Sequence, residues 1–254
     1  MRSTVERRDE IRAILYERGK VRVDELSEKM GVTTVTIRND LDYFEKMGIL
    51  HRTHGGALLK RNVYEDPTLE DRQKRYQEEK RRIAREAVKR VRPGETILLD
   101  SGSTTLEIAR HLHQIESLTV MTNSISIALE LTHSTHLDVM LTGGAFRRAS
   151  HSLVGPEAEA TLSNYYFDKL FLGVDGIDPE FGLTTPNPLE AGLNRVMVRH
   201  ARQVIAVTDS SKFGRQSFSL ICEMGSIDTL ITDKGLGARH VHDLHRRKID
   251  LVLV

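Results

Sequence analysis

The chain has 254 residues, with 37 Lys and Arg against 36 Asp and Glu, one cysteine, no tryptophan and 39% hydrophobic residues. That length predicts one or two domains with cores of their own. A lone Cys222 excludes an internal disulfide or a cysteine-rich zinc site and suits a reducing compartment. No apolar run reaches the roughly 18 to 20 residues that cross a bilayer, and Met1 to Arg8 is charged with no apolar stretch, so a cytoplasmic protein is expected.

The near-zero net charge hides an asymmetry. Residues 1–92 carry 23 basic and 17 acidic side chains, residues 93–254 carry 14 and 19. A positive front end suits a polyanionic partner; solvated helices with matched charges account for it equally well.

Ile11, Ile14 and Leu15 recur at helical spacing within Val5 to Arg18, and Gly19 ends that helix. After an extended piece, Lys20 to Val23, Asp24 is placed to cap a second helix carrying Leu26 and Met30, with Gly31 as its left-handed stop. Gly31-Val32-Thr33 then opens a third helix with the buried stripe Ile37, Leu41 and Phe44. Its N-terminal half is left with Thr33, Thr34, Thr36, Arg38 and Asn39, which are able to bond phosphates or base edges. Helix, tight turn and a helix with a polar N-terminal half are what a helix-turn-helix requires. Ile49 to Leu58 reads as two short strands around a turn, a wing whose Arg52 and His54 reach toward phosphates or the minor groove. A small helical bundle packed on the rest of the chain stays open on pattern alone.

Val23-Asp24-Glu25-Leu26, Gly31-Val32, Thr36-Ile37-Arg38-Asn39-Asp40-Leu41 and Arg52-Thr53-His54-Gly55-Gly56-Ala57 resemble the DeoR family of bacterial repressors. The run Thr34 to Leu41 looks most like the N-acetylgalactosamine (aga) operon subgroup. The resemblance implies a winged helix-turn-helix over 1–59, its helix-turn-helix at about 20–39, bound to double-stranded operator DNA. Asn39 stands where the family usually has a second arginine, which bears on operator sequence.

Residues 60–92 carry 12 basic and 7 acidic side chains and predict a linker broken at Asp66-Pro67, then one helix from Leu69 to Val91 with the apolar face Ile83, Ala87 and Val91. Pro93-Gly94 ends it. Lys80 on this helix is either a solvated lysine or, by its position in a sensor of this family, an anion contact.

From 93 to 254 short apolar runs alternate with helical intervals: Thr96 to Leu99, Leu118 to Thr122, Asp138 to Thr142, Leu170 to Val174, Val204 to Thr208, Asp228 to Thr232 and Leu251 to Val254. This is the rhythm of an α/β fold with a largely parallel, Rossmann-like sheet. Asp100, Asn123, Gly143, Asp175, Asp209 and Asp233 end the runs, and in such folds ligands bind beyond the carboxyl ends of the strands. Asp100-Ser101-Gly102-Ser103-Thr104-Thr105 leaves a strand for a helix and has the amides and hydroxyls to cradle an anion. It is neither a Walker loop nor a dinucleotide fingerprint; an ordinary capped helix start is the alternative. His111 and His113, two apart on a helix, point to different faces, so no metal site is expected.

Thr122-Asn123-Ser124, Gly143-Gly144, Gly173 to Asp178, Thr184-Thr185-Pro186-Asn187 with Glu190, and Asp209 to Gly214 are individually weak; Asp175 or Asp178 is equally well a turn aspartate and Asn187 a helix cap. In this order they are similar to the DeoR sensor domain, which resembles ribose-5-phosphate isomerase. That resemblance implies a sugar-phosphate effector and no cofactor, with Ser101 to Thr105 on the phosphate, Asn123, Asp175 and Glu190 near the hydroxyls, and Asp209 and Lys212 closing the site. It also implies a homodimer or homotetramer, and weakly an amino-sugar or tagatose phosphate. Pro188 replaces a frequent acidic residue. The other reading is a sugar-phosphate isomerase with an accessory DNA-binding domain, but the Glu-Lys pair of such isomerases is missing after Gly143-Gly144, where Ala145-Phe146-Arg147-Arg148 follows. A sensor without enzymatic activity is expected.

Overall fold

The computed structural model describes residues 4–47, 49–59 and 67–254. They fall into two compact units, one within residues 1–65 and one within 66–254. The expected linker from Lys60 to Asp66 lies outside the described residues.

The first unit runs α1 (Thr4–Arg18), β1 (Lys20–Arg22), α2 (Val23–Met30), α3 (Thr34–Lys46), β2 (Leu50–Thr53) and β3 (Gly56–Leu59). Ile11, Leu15, Leu26, Ile37, Leu41 and Phe44 meet in one core, so each apolar stripe read from the sequence is the stripe that is buried. Gly31 closes α2 at φ 65°, and Thr33 caps α3 by accepting the Thr36 N–H. Asp24 is not the cap of α2: the helix starts one residue earlier, Arg22 holds the cap position, and Asp24 sits in the first turn, where its charge offsets the positive end of the helix dipole. The wing has three strands, antiparallel in the order β1-β3-β2. Arg22 lies opposite Gly56, and a β-carbon on Gly56 would stand 2.0 Å from the Val21 carbonyl oxygen, so only glycine permits that pairing.

The second unit opens with α4 (Leu69–Lys74) and α5 (Gln77–Val88), then β4 (Thr96–Leu99), α6 (Ser103–Ala109), β5 (Thr119–Thr122), α7 (Ile125–Leu131) and β6 (Asp138–Leu141). A hairpin of β7 (Ala145–Arg147) and β8 (Ser152–Val154) follows, then α8 (Pro156–Leu162), β9 (Phe167–Gly173), β10 (Gly176–Asp178), β11 (Gly182–Thr185), α9 (Pro188–Arg199) and β12 (Ala201–Val207). β13 (Ser219–Cys222), β14 (Thr229–Thr232), α10 (Ala238–Arg246) and β15 (Asp250–Leu253) complete it.

Seven strands form one parallel sheet in the order β15-β14-β12-β9-β4-β5-β6. Alternate residues feed two cores. Ile97, Leu99, Val120, Phe171, Ile205 and Val207 pack with residues of α5, α6 and α7; Leu98, Met121, Leu170, Leu172 and Ala206 pack with residues of α8, α9 and α10. Burial on both faces is why these strands read as unbroken apolar runs. The chain lays β5 and β6 on one side of β4 and the later strands on the other, so a crevice opens beyond the carboxyl ends of β4 and β9.

The single helix expected from Leu69 to Val91 is two helices. Tyr76, at φ 54°, divides them. The Lys80 ammonium donates to the carbonyl oxygens of Arg72 and of Arg75, the latter at 2.6 Å, acceptors that a continuous helix would spend on its own amides. The β7–β8 hairpin and the small sheet β10-β11-β13 were not foreshadowed by the sequence pattern.

Candidate nucleic-acid surface and ligand cavity

On the first unit, Thr33, Arg38 and Asn39 are exposed and Thr34 and Thr36 half-buried on the N-terminal half of α3. The Thr33 and Thr36 hydroxyls lie 3.0 Å apart, so one of them already donates to the other. Val35, 60% exposed between them, escaped the sequence reading, which took apolar residues as core; an exposed valine methyl here suits the methyl group of thymine. His54 is exposed at the wing tip. Arg52 does not project outward as expected. Its Nη1 donates to the Arg38 carbonyl at 2.9 Å and pairs with Asp42 at 2.5 Å, while its amide donates to Glu45, so it braces the wing against α3.

On the second unit a cavity of about 460 Å³ occupies the crevice between β4 and β9. Its wall includes Lys80, Asp100, Ser101, Gly102, Ser103, Thr104, Asp175, Glu190, Asp209 and Lys212, ten of the expected effector residues drawn from five separate stretches of chain. Thr105 and Asn123 are fully buried and stand behind it. Thr105 bonds back to the Gly102 carbonyl, and the Asn123 amide donates to the Ser101 hydroxyl at 3.4 Å. Sequence reasoning missed Arg72, Arg75, Tyr76, Asn194 and Arg215, which also line the cavity. Asp178 is the turn aspartate, accepting the Glu180 and Phe181 amides, and Asn187 caps α9.

The wall carries five cations, Arg72, Arg75, Lys80, Lys212 and Arg215, and four acids, Asp100, Asp175, Asp209 and Glu190. Asp175 meets Arg72 at 3.2 Å and Lys212 at 3.9 Å and accepts the Thr185 hydroxyl at 3.1 Å. Glu190 accepts from Arg147 and Ser152, each at 3.1 Å. Burial, reinforced by the nearby charges of Glu190 and Asp175, pushes the Asp100 carboxyl well above the usual carboxylate range against the pull of the Ser101 and Gly173 amides. Burial also lowers the Lys80 ammonium to about 8, helped by Lys212 and Arg72 and opposed by Asp209. The cavity is thus a polar pocket whose cations and carboxyls are interleaved, Asp175 standing beside both Arg72 and Lys212.

A winged helix-turn-helix joined to an α/β unit that encloses a polar cavity is the build of a single-chain transcription regulator. Residues 7–63 match the DeoR-like helix-turn-helix domain and residues 75–234 the DeoR C terminal sensor domain. The chain belongs to the DeoR family of DNA-binding transcription regulators. It is 43% identical over 253 residues to the "Putative aga operon transcriptional repressor" of Escherichia coli O157:H7, covering 99% of this chain and 94% of that protein. It is 38% identical over 230 residues to the HTH-type transcriptional regulator GlpR of Haloferax volcanii, covering 91% and 90%. Among solved structures, a D-ribose-5-phosphate isomerase in complex with phospho-erythronic acid is similar over 54% of each chain, at 19% identity and a TM-score of 0.41. Among the described residues, no helix is long and apolar enough to cross a membrane.

Proposed function

We propose that the protein represses a carbohydrate-utilisation operon and is released from its operator by a phosphorylated sugar, of the amino-sugar or tagatose type, held in the cavity. The observation that carries this reading is that five cations and the Ser101 to Thr104 turn line one cavity at the sheet's switch point. A phosphate there is met by ionised donors, whose hydrogen bonds are the strong ones, and carboxyls of the same wall accept from sugar hydroxyls. Thr33, Thr34, Thr36, Arg38 and Asn39 face the major groove, with His54 at the backbone. The chain acts as a sensor and turns nothing over.

Repression and release follow if a dimer or tetramer sets two recognition helices one helical turn of DNA apart or a multiple of it, and if the sugar phosphate favours the conformation in which they are mis-spaced. Operator and effector then weaken each other by the same factor, with a coupling of about 1 to 3 kcal/mol.

Arg38→Ala is expected to weaken binding to a duplex selected by the protein itself by about tenfold or more, leaving sugar-phosphate affinity unchanged. Lys212→Ala is expected to raise the Kd for the sugar phosphate by about ten- to a hundredfold and to spare DNA binding. Fluorescence anisotropy and calorimetry on the two folded variants measure both; loss of both activities from either change refutes the division of labour.

The cavity also makes the response depend on pH. A phosphate ester, with its second pKa near about 6, keeps its charge above neutrality, whereas Lys80 gives up its proton as pH rises through about 8. Positive charge is therefore present below that value and lost above it. Sugar-phosphate affinity is expected to fall by about tenfold between about pH 7 and about pH 9.5, and calorimetry on Lys80→Arg, whose guanidinium does not titrate there, should show a much flatter profile.

A further inference from the structure

Residues 67–76 form a strap over the cavity, at the end of the second unit from which the chain runs toward the first. Several contacts among the described residues hold it. The Leu69 amide donates to the Ala149 carbonyl at 2.8 Å, beside the β7–β8 hairpin, and Glu70 lies 3.3 Å from His151. Lys80 clamps the carbonyls of Arg72 and Arg75. Arg72 itself adds to these, with one guanidinium that reaches both the cavity wall and the strap. Nη1 pairs with Asp175 on the cavity wall at 3.2 Å, and Nε donates to the Pro67 carbonyl at 3.0 Å.

We propose that Arg72 reports occupancy of the cavity to the chain junction: an anion entering beside Asp175 recruits the guanidinium and takes it from the Pro67 carbonyl. A phosphate dianion is a stronger acceptor than a neutral carbonyl, and the planar fork that now spans wall and strap cannot serve both once it turns to a new partner. Pro67 and Thr68 are thereby released, and α4 loses its hold at the residue nearest the junction. Tyr76, in the left-handed region at φ 54°, is a conformation that a non-glycine residue keeps only while its surroundings enforce it, so the joint between α4 and α5 is the natural place for the strap to pivot. This inference rests on the anion-binding reading of the cavity.

The test is hydrogen exchange on the full chain, alone and with saturating inorganic phosphate, galactosamine 6-phosphate or tagatose 6-phosphate, with a thermal melt of each mixture as the record of binding. Where a probe raises the melting temperature, amide exchange over residues 68–72 is expected to quicken by about tenfold or more. In Arg72→Lys, whose ammonium cannot span both acceptors, exchange there should already be fast and change less than about twofold on binding. A probe that raises the melting temperature while exchange over 68–72 stays constant or slows overturns the strap and leaves the anion-binding reading standing. If none of the three probes shifts the melt, both fall.

Discussion

Replacing Asp40 by alanine is expected to unfold the first unit while leaving the second intact. Asp40 is 1% exposed on α3 and accepts from Arg7 Nε at 2.6 Å, Arg7 Nη2 at 3.4 Å and Arg8 Nε at 2.8 Å. Arg7 is itself buried, and the hydrogen bond it donates to Asp40 holds its guanidinium even more firmly in the charged form. Arg8 lies over the ring of Tyr43, 3.8 Å from its centroid. Removing the carboxylate strands a buried cation, a loss of about 3–5 kcal/mol. That is comparable with the whole stability of a domain of about 60 residues, at roughly 0.05–0.15 kcal/mol per residue. Urea unfolding followed by circular dichroism should show the first unit's transition abolished, the second unit's midpoint kept, and duplex binding gone. An unchanged first transition would mean that the Arg7–Asp40 pair does not hold α1 to α3. Because Arg38 and Asn39 directly precede Asp40, the same carboxylate that stabilises the unit also fixes the aim of the two residues proposed to face DNA.

The same physics predicts a large effect in the second unit. Glu190, 6% exposed, ties the hairpin to α9: Arg147 of β7 and Ser152 of β8 donate to Oε1, and the Thr185 hydroxyl of β11, whose one proton is closer to Asp175, lies 3.4 Å from Oε2. Glu190→Ala leaves Arg147 with Ser150 among its remaining partners, at 2.8 Å, and is expected to cost the second unit about 3 kcal/mol. It also removes one of the charges that raise Asp100, whose carboxyl moves back toward its usual range. Glu190→Gln, which keeps an acceptor for Ser152, should cost less. The midpoint of the second transition in urea measures both variants; a change of less than about 1 kcal/mol for the alanine variant would show that the network carries little stability.

How much of this was legible follows from what local pattern can carry. The inner parallel strands were readable because burial on both faces leaves each one a largely apolar run, the partly exposed edge strands β6 and β15 kept short apolar runs too, and their ends pointed to the crevice because parallel strands bring their carboxyl ends to one side. The helix-turn-helix was readable from stripes such as Ile37, Leu41 and Phe44 and from Gly31. What escaped depends on contacts between distant or oddly spaced residues. The break at Tyr76 needs Lys80 to reach back five and eight residues. Arg72 and Arg75 belong to the charged stretch 60–92, and charge alone does not tell which side of a strap faces a cavity. Arg52 read as an outward contact because nothing in the wing shows that Asp42 and Glu45 of α3 wait for it. Asn123 ends its strand as expected, yet sits one layer too deep.

The switch point between β4 and β9 also sets a timetable. The walls of the cavity come from residues near 67–80, 100–104, 173–175, 185–194 and 208–215, so no pocket exists until β12 and the turn after it have been made. Domains emerge from the ribosome in order and fold as they emerge. On the proposed function, each newborn molecule therefore passes through an interval in which the unit that grips DNA is finished and the unit that listens is not, and during that interval it is deaf to its effector.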